Sequence, residues 1–401
     1  MGIPPAEYHG RLDRLQADVA AAGLDLYVVS SEESILYLTG IAYAPLERPF
    51  FILVRPRQEP EMLVPMLERD HLASSPSVQR VHTYWDFPAP PGEGWAEKLR
   101  DLIRYDLAIG VEPTLPVEVW RNLADLQPRI VPLVDQLRLI KSPAEIEMIR
   151  YAAHYADMGV ERVLRTAYSG VSLLELFAQG RSVQMAMLRE VGYNAVISSI
   201  LVGAWPAPGS AMPHDVPAPE ARLCEGPHIA LALTRVDGYC AECERTFFLS
   251  PPTPELREAF AAVREASRRA YELARPGVPT AELDTAANDF LRELGYGEYL
   301  LHRTGHGFGL SAHEGPYVAE GSEDVLSPGM LISIEPGVYL PKVGGIRHSD
   351  TVLITEDGYE SLTRCPQDLE SLTLHSARPR QRLVGAAMRR MAGLRDPKKE
   401  K

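Results

Sequence analysis

Apolar residues return every three or four positions between Ala6 and Ala21, the period of a helix that buries one face, and the chain then changes rhythm. Short apolar runs follow at Leu26 to Val29, Phe50 to Val54 and Met62 to Val64, each of strand length and bounded by polar or turn residues. A further helix is predicted over Trp95 to Ile103 and a strand over Ala108 to Val111, after which Val134 to Lys141 reads as a connector. Strands alternating with helices indicate an α/β domain, here assigned to residues 1–137.

Beyond the connector, Ser142-Pro143-Ala144-Glu145 carries a serine that can cap, a proline suited to the first helical position and a glutamate that can return a hydrogen bond. Ile146, Ile149, Ala153 and Val160 then continue at helical spacing. A second capping pattern, Ser172 to Glu175, opens a helix predicted to run towards Val191, followed by a strand over Ala195 to Val202. Asp237-Gly238 is a strong hairpin turn between strands predicted over His228 to Leu233 and Tyr239 to Phe248. Gly170-Val171 with Glu175-Leu176 recurs as Gly277-Val278 with Glu282-Leu283, which suggests two copies of a helix-helix-sheet unit facing each other. The second domain is assigned to residues 138–376 and a basic tail to 377–401, where Leu383, Ala387, Met391 and Leu394 fall near one helical face of a solvated end.

Composition narrows the partners. A chain of 401 residues with 45% hydrophobic content can bury a large core. A net charge of -13 repels phosphate, so nucleic acid and anionic membrane are set aside in favour of a small molecule or peptide. Met1 to Leu15 lacks the apolar core of a secretory signal, Ala6 stands where a myristoylation signal wants Ser or Thr, and no long uncharged apolar run follows. The expected compartment is therefore the cytoplasm. Four cysteines in a chain this long are too few for a disulfide framework and are expected to be reduced.

Candidate chemistry gathers in the second domain. On an extended strand Cys240, Glu242 and Glu244 share one face while Cys243 and Arg245 take the other. Two neighbouring carboxylates repel unless a cation, a proton or a donor-rich ligand lies between them. The same alternation separates the Cys240 and Cys243 thiols, so this C-x-x-C pair reads as small buried residues. His302, His306 and His313 crowd a stretch with Gly305, Gly307 and Gly309, which suggests a site. Glu335 follows Ile332-Ser333-Ile334 in an apolar strand, where an unpaired carboxylate is costly. Arg347, Ser349 and Thr351 share a face of a strand predicted over Ile346 to Ile354, and His214 lies in the proline-rich loop from Pro206 to Arg222.

In order and spacing these segments resemble the creatinase, prolidase and aminopeptidase P family. The resemblance runs from Leu36-Tyr-Leu-Thr-Gly40 through Lys141 to Glu145, the His214 loop, Gly238 to Phe247, Gly305-His306-Gly307 and Glu335-Pro336-Gly337 to Arg347 and Asp350. It implies an α+β chain, a pita-bread catalytic domain preceded by a smaller α/β domain, and a homodimer. Peptidase members of the family hold two metal ions through two aspartates, a histidine and two glutamates. The resemblance places those five ligands at Leu231, Glu242, His306, Glu335 and Ser349. An aliphatic side chain and a hydroxyl thus stand where two carboxylates belong, and Glu242, His306 and Glu335 remain as ligands for at most one zinc, manganese or iron ion.

Creatinase works without metal, and it resembles this chain in having a glutamate just before Arg-Thr, here Glu244 before Arg245-Thr246. The likeness implies His214 as proton shuttle, Glu244 and Glu335 as substrate-binding carboxylates, and Arg48 as a carboxylate-binding arginine from a neighbouring subunit. The leading expectation is hydrolysis of a C–N bond in a small molecule or dipeptide, with no cofactor and His214 as general acid and base. His302, His306 and His313 would orient the reacting carbon or its oxyanion. Two alternatives stand beside it: a one-ion Xaa-Pro peptidase using Glu242, His306 and Glu335, and a binding protein that has lost catalysis.

Overall fold

A computed structural model describes residues 2–103, 107–374 and 379–393. The chain divides into two compact units, Met1–Leu139 and Ile140–Lys401.

The first unit alternates as the apolar pattern predicts. Its elements are α1 (Pro5–Ala21), β1 (Leu26–Val29), α2 (Glu32–Thr39), β2 (Phe51–Val54), β3 (Glu61–Pro65), α3 (Arg69–Leu72) and β4 (Arg80–Tyr84). They continue as α4 (Trp95–Leu102), β5 (Ile109–Val111), α5 (Val117–Leu123), β6 (Arg129–Ile130) and α6 (Leu133–Leu139). The six strands form one sheet in the order β4-β3-β2-β1-β5-β6. Leu26, Val28, Phe51, Leu53 and Leu63 on one sheet face meet Leu99 and Ile103 in a closed core. The predicted connector is a correction: Leu133 to Leu139 is helix α6, with Leu133 and Val134 buried, because its apolar residues find a surface to cover.

The second unit holds α7 (Pro143–Thr166), α8 (Leu173–Phe177), α9 (Gln179–Glu190), β7 (Ser199–Trp205), β8 (His228–Val236) and β9 (Tyr239–Phe247). After these come α10 (Pro254–Leu273), α11 (Thr280–Glu293), β10 (Gly305–Gly307), β11 (Glu314–Val318) and β12 (Leu331–Ile334). The last are β13 (Gly337–Leu340), β14 (Gly344–Arg347), β15 (Ser349–Ile354), β16 (Tyr359–Ser361) and α12 (Pro379–Met391). The main sheet runs β11-β10-β12-β15-β9-β8-β7, with β16 beside β15 and β13-β14 as a separate pair.

Helix α7 begins with the anticipated reciprocal cap: Ser142 Oγ accepts from the Glu145 backbone N–H at 3.2 Å and Glu145 Oε2 accepts from Ser142 N–H at 2.9 Å. The Lys141 ammonium lies 3.1 Å from Glu314 and both are inside the fold, which anchors the segment before the helix. Three further expectations need correction. The helix expected from Ser172 to Val191 breaks at Ala178 into α8 and α9. The strand predicted from Ala195 starts at Ser199 and ends at Trp205, since Val196 is exposed and the preceding backbone turns. The strand predicted over Ile346 to Ile354 is interrupted at His348, so Arg347 ends β14 and Ser349 opens β15. The tail expected as a frayed, solvated end needs correction too: it forms helix α12, whose Arg389 pairs with the buried Glu175, while Leu383 and Met391 are exposed and Leu394 lies outside the described residues.

The internal echo reappears as main-chain pairing. Gly170 N–H donates to Leu223 O and Leu223 N–H to Val171 O; Gly277 N–H donates to Leu326 O and Leu326 N–H to Val278 O. Each short motif therefore ties the end of a long helix to the loop that leads into its sheet strands, in the same pattern twice.

Candidate active site

Hairpin β8–β9 and the neighbouring strand β15 form the floor of a cavity. The β8–β9 register pairs Leu233 with Glu242 and Leu231 with Glu244, and Ser349 of β15 pairs with Glu244 from the other side. Leu231, Glu244 and Ser349 therefore form one row across three strands. Arg245, on the opposite face of β9, is fully buried and donates to Asp350 Oδ1 at 2.6 Å and to the carbonyls of Glu244 and Ser349 at 2.7 and 2.9 Å. Asp350 also accepts from Tyr271, Thr363 and Gln367, so the pair is fully solvated by the protein and locks β9 to β15.

The cavity measures about 910 Å³ and is lined by His214, Glu242, Glu244, His302, His306, His313, Glu335 and Arg347, together with Leu231. Eight of the residues singled out from the sequence thus converge within one unit. Arg48 belongs to the first unit, where its Nε donates to Asp86 Oδ1 at 2.9 Å. The C-x-x-C reading holds in that Cys240 and Cys243 are both buried and neither is in a disulfide. The thiol beside Cys243 belongs to Cys365, with Asp157 next to it, a neighbour that no sequence spacing could indicate.

Each carboxylate has an internal partner. Glu244 and Arg347 make a two-pronged ion pair, with Arg347 Nη2 2.6 Å from Glu244 Oε1 and Nε on the other oxygen, both residues buried. Arg347 Nη1 also donates to Tyr339 Oη at 3.1 Å, and Tyr339 Oη lies 2.7 Å from His302 Nε2. Because His302 Nδ1 faces the Arg303 carbonyl at 2.7 Å, the Tyr339 hydroxyl donates to a neutral ring. Burial holds His302 below its ordinary value, consistent with that tautomer.

His306 is aimed by a register shift between His306 and Gly307 on β10. The flanking glycines leave room for it: a Cβ at Gly305 would sit 2.1 Å from Ser333 O, and one at Gly307 would sit 2.1 Å from Gly315 O. His306 Nε2 lies 3.1 Å from Glu335 Oε1 and Nδ1 lies 3.1 Å from Gly307 O, so both nitrogens face acceptors. Burial works against charge on both groups, but their contact outweighs it, holding His306 above its ordinary value and drawing Glu335 down to about 2. His313 stacks on His306 with ring centroids 3.8 Å apart, and desolvation with the His306 charge pushes it down to about 4.

Glu242 differs from the other two acids. Its only side-chain donor among the described residues is Ser349 Oγ at 2.7 Å, and burial together with the Glu335 charge pushes its carboxyl up to about 8. In cation-free protein the folded chain therefore retains this proton after the unfolded chain, at about 4.5, has lost it. Stability should fall as pH rises from about 4.5 towards 8. Glu242→Gln should remove that slope. Urea melts of both proteins across this window check it, and parallel pH profiles would refute it.

Sequence reasoning missed Tyr339, which joins His302 to Arg347, and the apolar lining of Leu201, Trp205, Leu233 and Leu301. The alternation Leu231, Leu233 on β8 was the available signal for the second group. Tyr339 carried none, because β13 and β14 meet the site through a separate two-stranded ribbon.

Buried acids and histidines thus gather in one cavity on a hairpin-centred sheet. Residues 147–356 match the metallopeptidase family M24 model and residues 11–147 match the creatinase/prolidase N-terminal domain, so the chain belongs to family M24 and has its pita-bread fold. It is 30% identical over 366 residues to an Xaa-Pro dipeptidase of Pyrococcus furiosus, covering 90% of this chain and 99% of that one. It is 32% identical to a probable dipeptidase PepE of Mycobacterium bovis over 371 residues, 90% and 96% of the two chains. The crystal structure of dipeptidase PepE from Mycobacterium ulcerans superposes with a TM-score of 0.81 at 29% identity, covering 94% of this chain and 100% of that one. No helix among the described residues is long and apolar enough to cross a membrane.

Proposed function

We propose that the protein hydrolyses a C–N bond in a small molecule or dipeptide without a bridged pair of metal ions. The observation that carries this reading is the row Leu231, Glu244 and Ser349. An isobutyl group and a hydroxyl flank a central carboxylate that Arg347 already neutralises, and this donor set does not fit two adjacent dications. His214, exposed on its loop and lining the cavity, is the group free to move a proton between water and the leaving nitrogen. Its loop is tethered where Trp205 Nε1 donates to Asp215 O at 2.7 Å. His306, whose affinity for a proton is raised by its contact with Glu335, supplies a positive centre for the oxygen of a carbonyl under attack, with Glu335 holding its orientation. Because Arg347 fills both oxygens of Glu244, recognition of a cationic substrate group falls to the ionised Glu335, with the protonated Glu242 beside it as a hydrogen-bonding group.

A second reading is favoured by one observation. Donor atoms of Glu242, His306 and Glu335 lie within 4.8 Å of one another, a set that fits a single divalent ion. These three residues would hold it, and it would supply Lewis acidity and an activated water. The names of the dipeptidase relatives lend weight to a dipeptide substrate under either reading.

Elemental analysis of protein purified without added metal, followed by turnover of Xaa-Pro dipeptides and small C–N substrates with and without chelator, separates the two. Activity that survives complete stripping is expected. Activity lost on stripping and restored by one equivalent of zinc, manganese or iron would establish the second reading instead.

A further inference from the structure

The cavity is lined asymmetrically. Its ionisable strand residues come from β9, β10 and β14, with Glu335 just after β12, whereas β7 and β8 contribute Leu201, Trp205, Leu231 and Leu233. Strand register puts these four on one face: Leu201 pairs with Leu233, which pairs with Glu242, and Leu231 pairs with Glu244. On the opposite face of the same strands, Val202 and Ala232 are 2% and 0% exposed, covered by protein. Leu201 on the cavity face is 44% exposed, and Leu231 and Leu233 are half-buried. Apolar surface that stays wet inside a concavity of this size favours a small ligand that covers it.

Deepening the proposed C–N hydrolysis and resting on it, we propose that Leu201, Leu231 and Leu233 form a specificity wall for an unbranched or branched aliphatic group of the substrate, seated next to the bond that is cleaved. The placement follows from the rows. An aliphatic group on Leu233 and Leu231 lies one strand away from Glu242 and Glu244, so the adjoining amide reaches the His306 and Glu335 side of the cavity. Trp205 borders the wall and also ties down the His214 loop, so the apolar and proton-transfer parts of the site share one anchor. A polar or charged group in the same place would lose water and gain no donor or acceptor from the wall. Discrimination is thus both attractive towards methylenes and repulsive towards charge.

The test is a series of dipeptides with proline second and alanine, 2-aminobutyrate, norvaline or norleucine first. Binding is measured by calorimetry and kcat/KM by initial rates, on the full chain and on Leu201→Ser and Leu231→Ser. The wild type should gain about fourfold in affinity or kcat/KM per added methylene. Both variants should flatten the series to within about twofold overall, and Aspartyl-proline should bind the wild type worse than alanyl-proline. Leu201 is exposed, so its substitution leaves folding intact, and thermal melts confirm this for both variants. A flat series in the wild type, a rising series retained in both variants, or no binding by any member would overturn the wall. Chain-length-dependent binding without turnover would uphold the wall and reject the hydrolytic reading. Turnover indifferent to chain length would do the reverse.

Discussion

Combining Leu231→Asp, Glu244→Thr and Ser349→Glu should give a protein that takes up two divalent ions per chain, where the parent takes up one or none. The row across β8, β9 and β15 is the reason. In the parent, the single carboxylate stands in the middle and is held by Arg347, while its two neighbours offer no anionic oxygen. The triple variant moves negative charge to the flanks, beside Glu242, His306 and Glu335, and removes the central acid that would crowd them. Two hard dications need that anionic density. Manganese titrations followed by elemental analysis report the stoichiometry. Thermal unfolding gives an independent readout, since ion at a hundredfold excess over Kd should stabilise the variant by about 2.7 kcal/mol for each site filled. A variant that folds and still takes up at most one ion would show that the flanking positions are not what excludes the pair.

Arg347→Met should destabilise the protein by about 3 to 5 kcal/mol, because it leaves the Glu244 carboxylate buried without its cation. The cost arises from the orphaned charge, so adding Glu244→Gln to the same chain should recover most of it. Urea denaturation of the two single variants and the double variant gives the coupling directly. If the double variant is no more stable than Arg347→Met, the pair is a bystander and the loss comes from the contact of Arg347 with Tyr339.

Much of this molecule was legible along the chain, for reasons that differ by element. The cap at Ser142 is local, since three residues suffice to satisfy the first orphan N–H groups, and it formed as read, while at Ser172 the returning bond to Glu175 formed and the serine hydroxyl donates to the same carboxylate. The Asp237-Gly238 turn is equally local: both residues take positive φ, 45° and 91°. The shared face of Glu242 and Glu244 follows from strand alternation alone. What alternation could not supply was the strand on either side. That Leu231 and Ser349 flank Glu244 is a matter of register between segments more than a hundred residues apart at their extremes, and the family resemblance brought those positions together before geometry did. The Glu244–Arg347 pair, the Tyr339 link to His302 and the Cys243–Cys365 neighbourhood are non-local contacts of this kind. Helix α6 was missed for the opposite reason: seven residues give too short a period to read, and burial decides the conformation.

The duplicated bonds at Gly170–Leu223–Val171 and Gly277–Leu326–Val278 are made by peptide groups alone. A clamp built from the main chain is indifferent to which side chains project from the strands it holds. Side chains on the cavity floor can therefore be exchanged without loosening its jaws. A shell fastened in this way keeps the outline of its relatives whichever residues line the notch inside it.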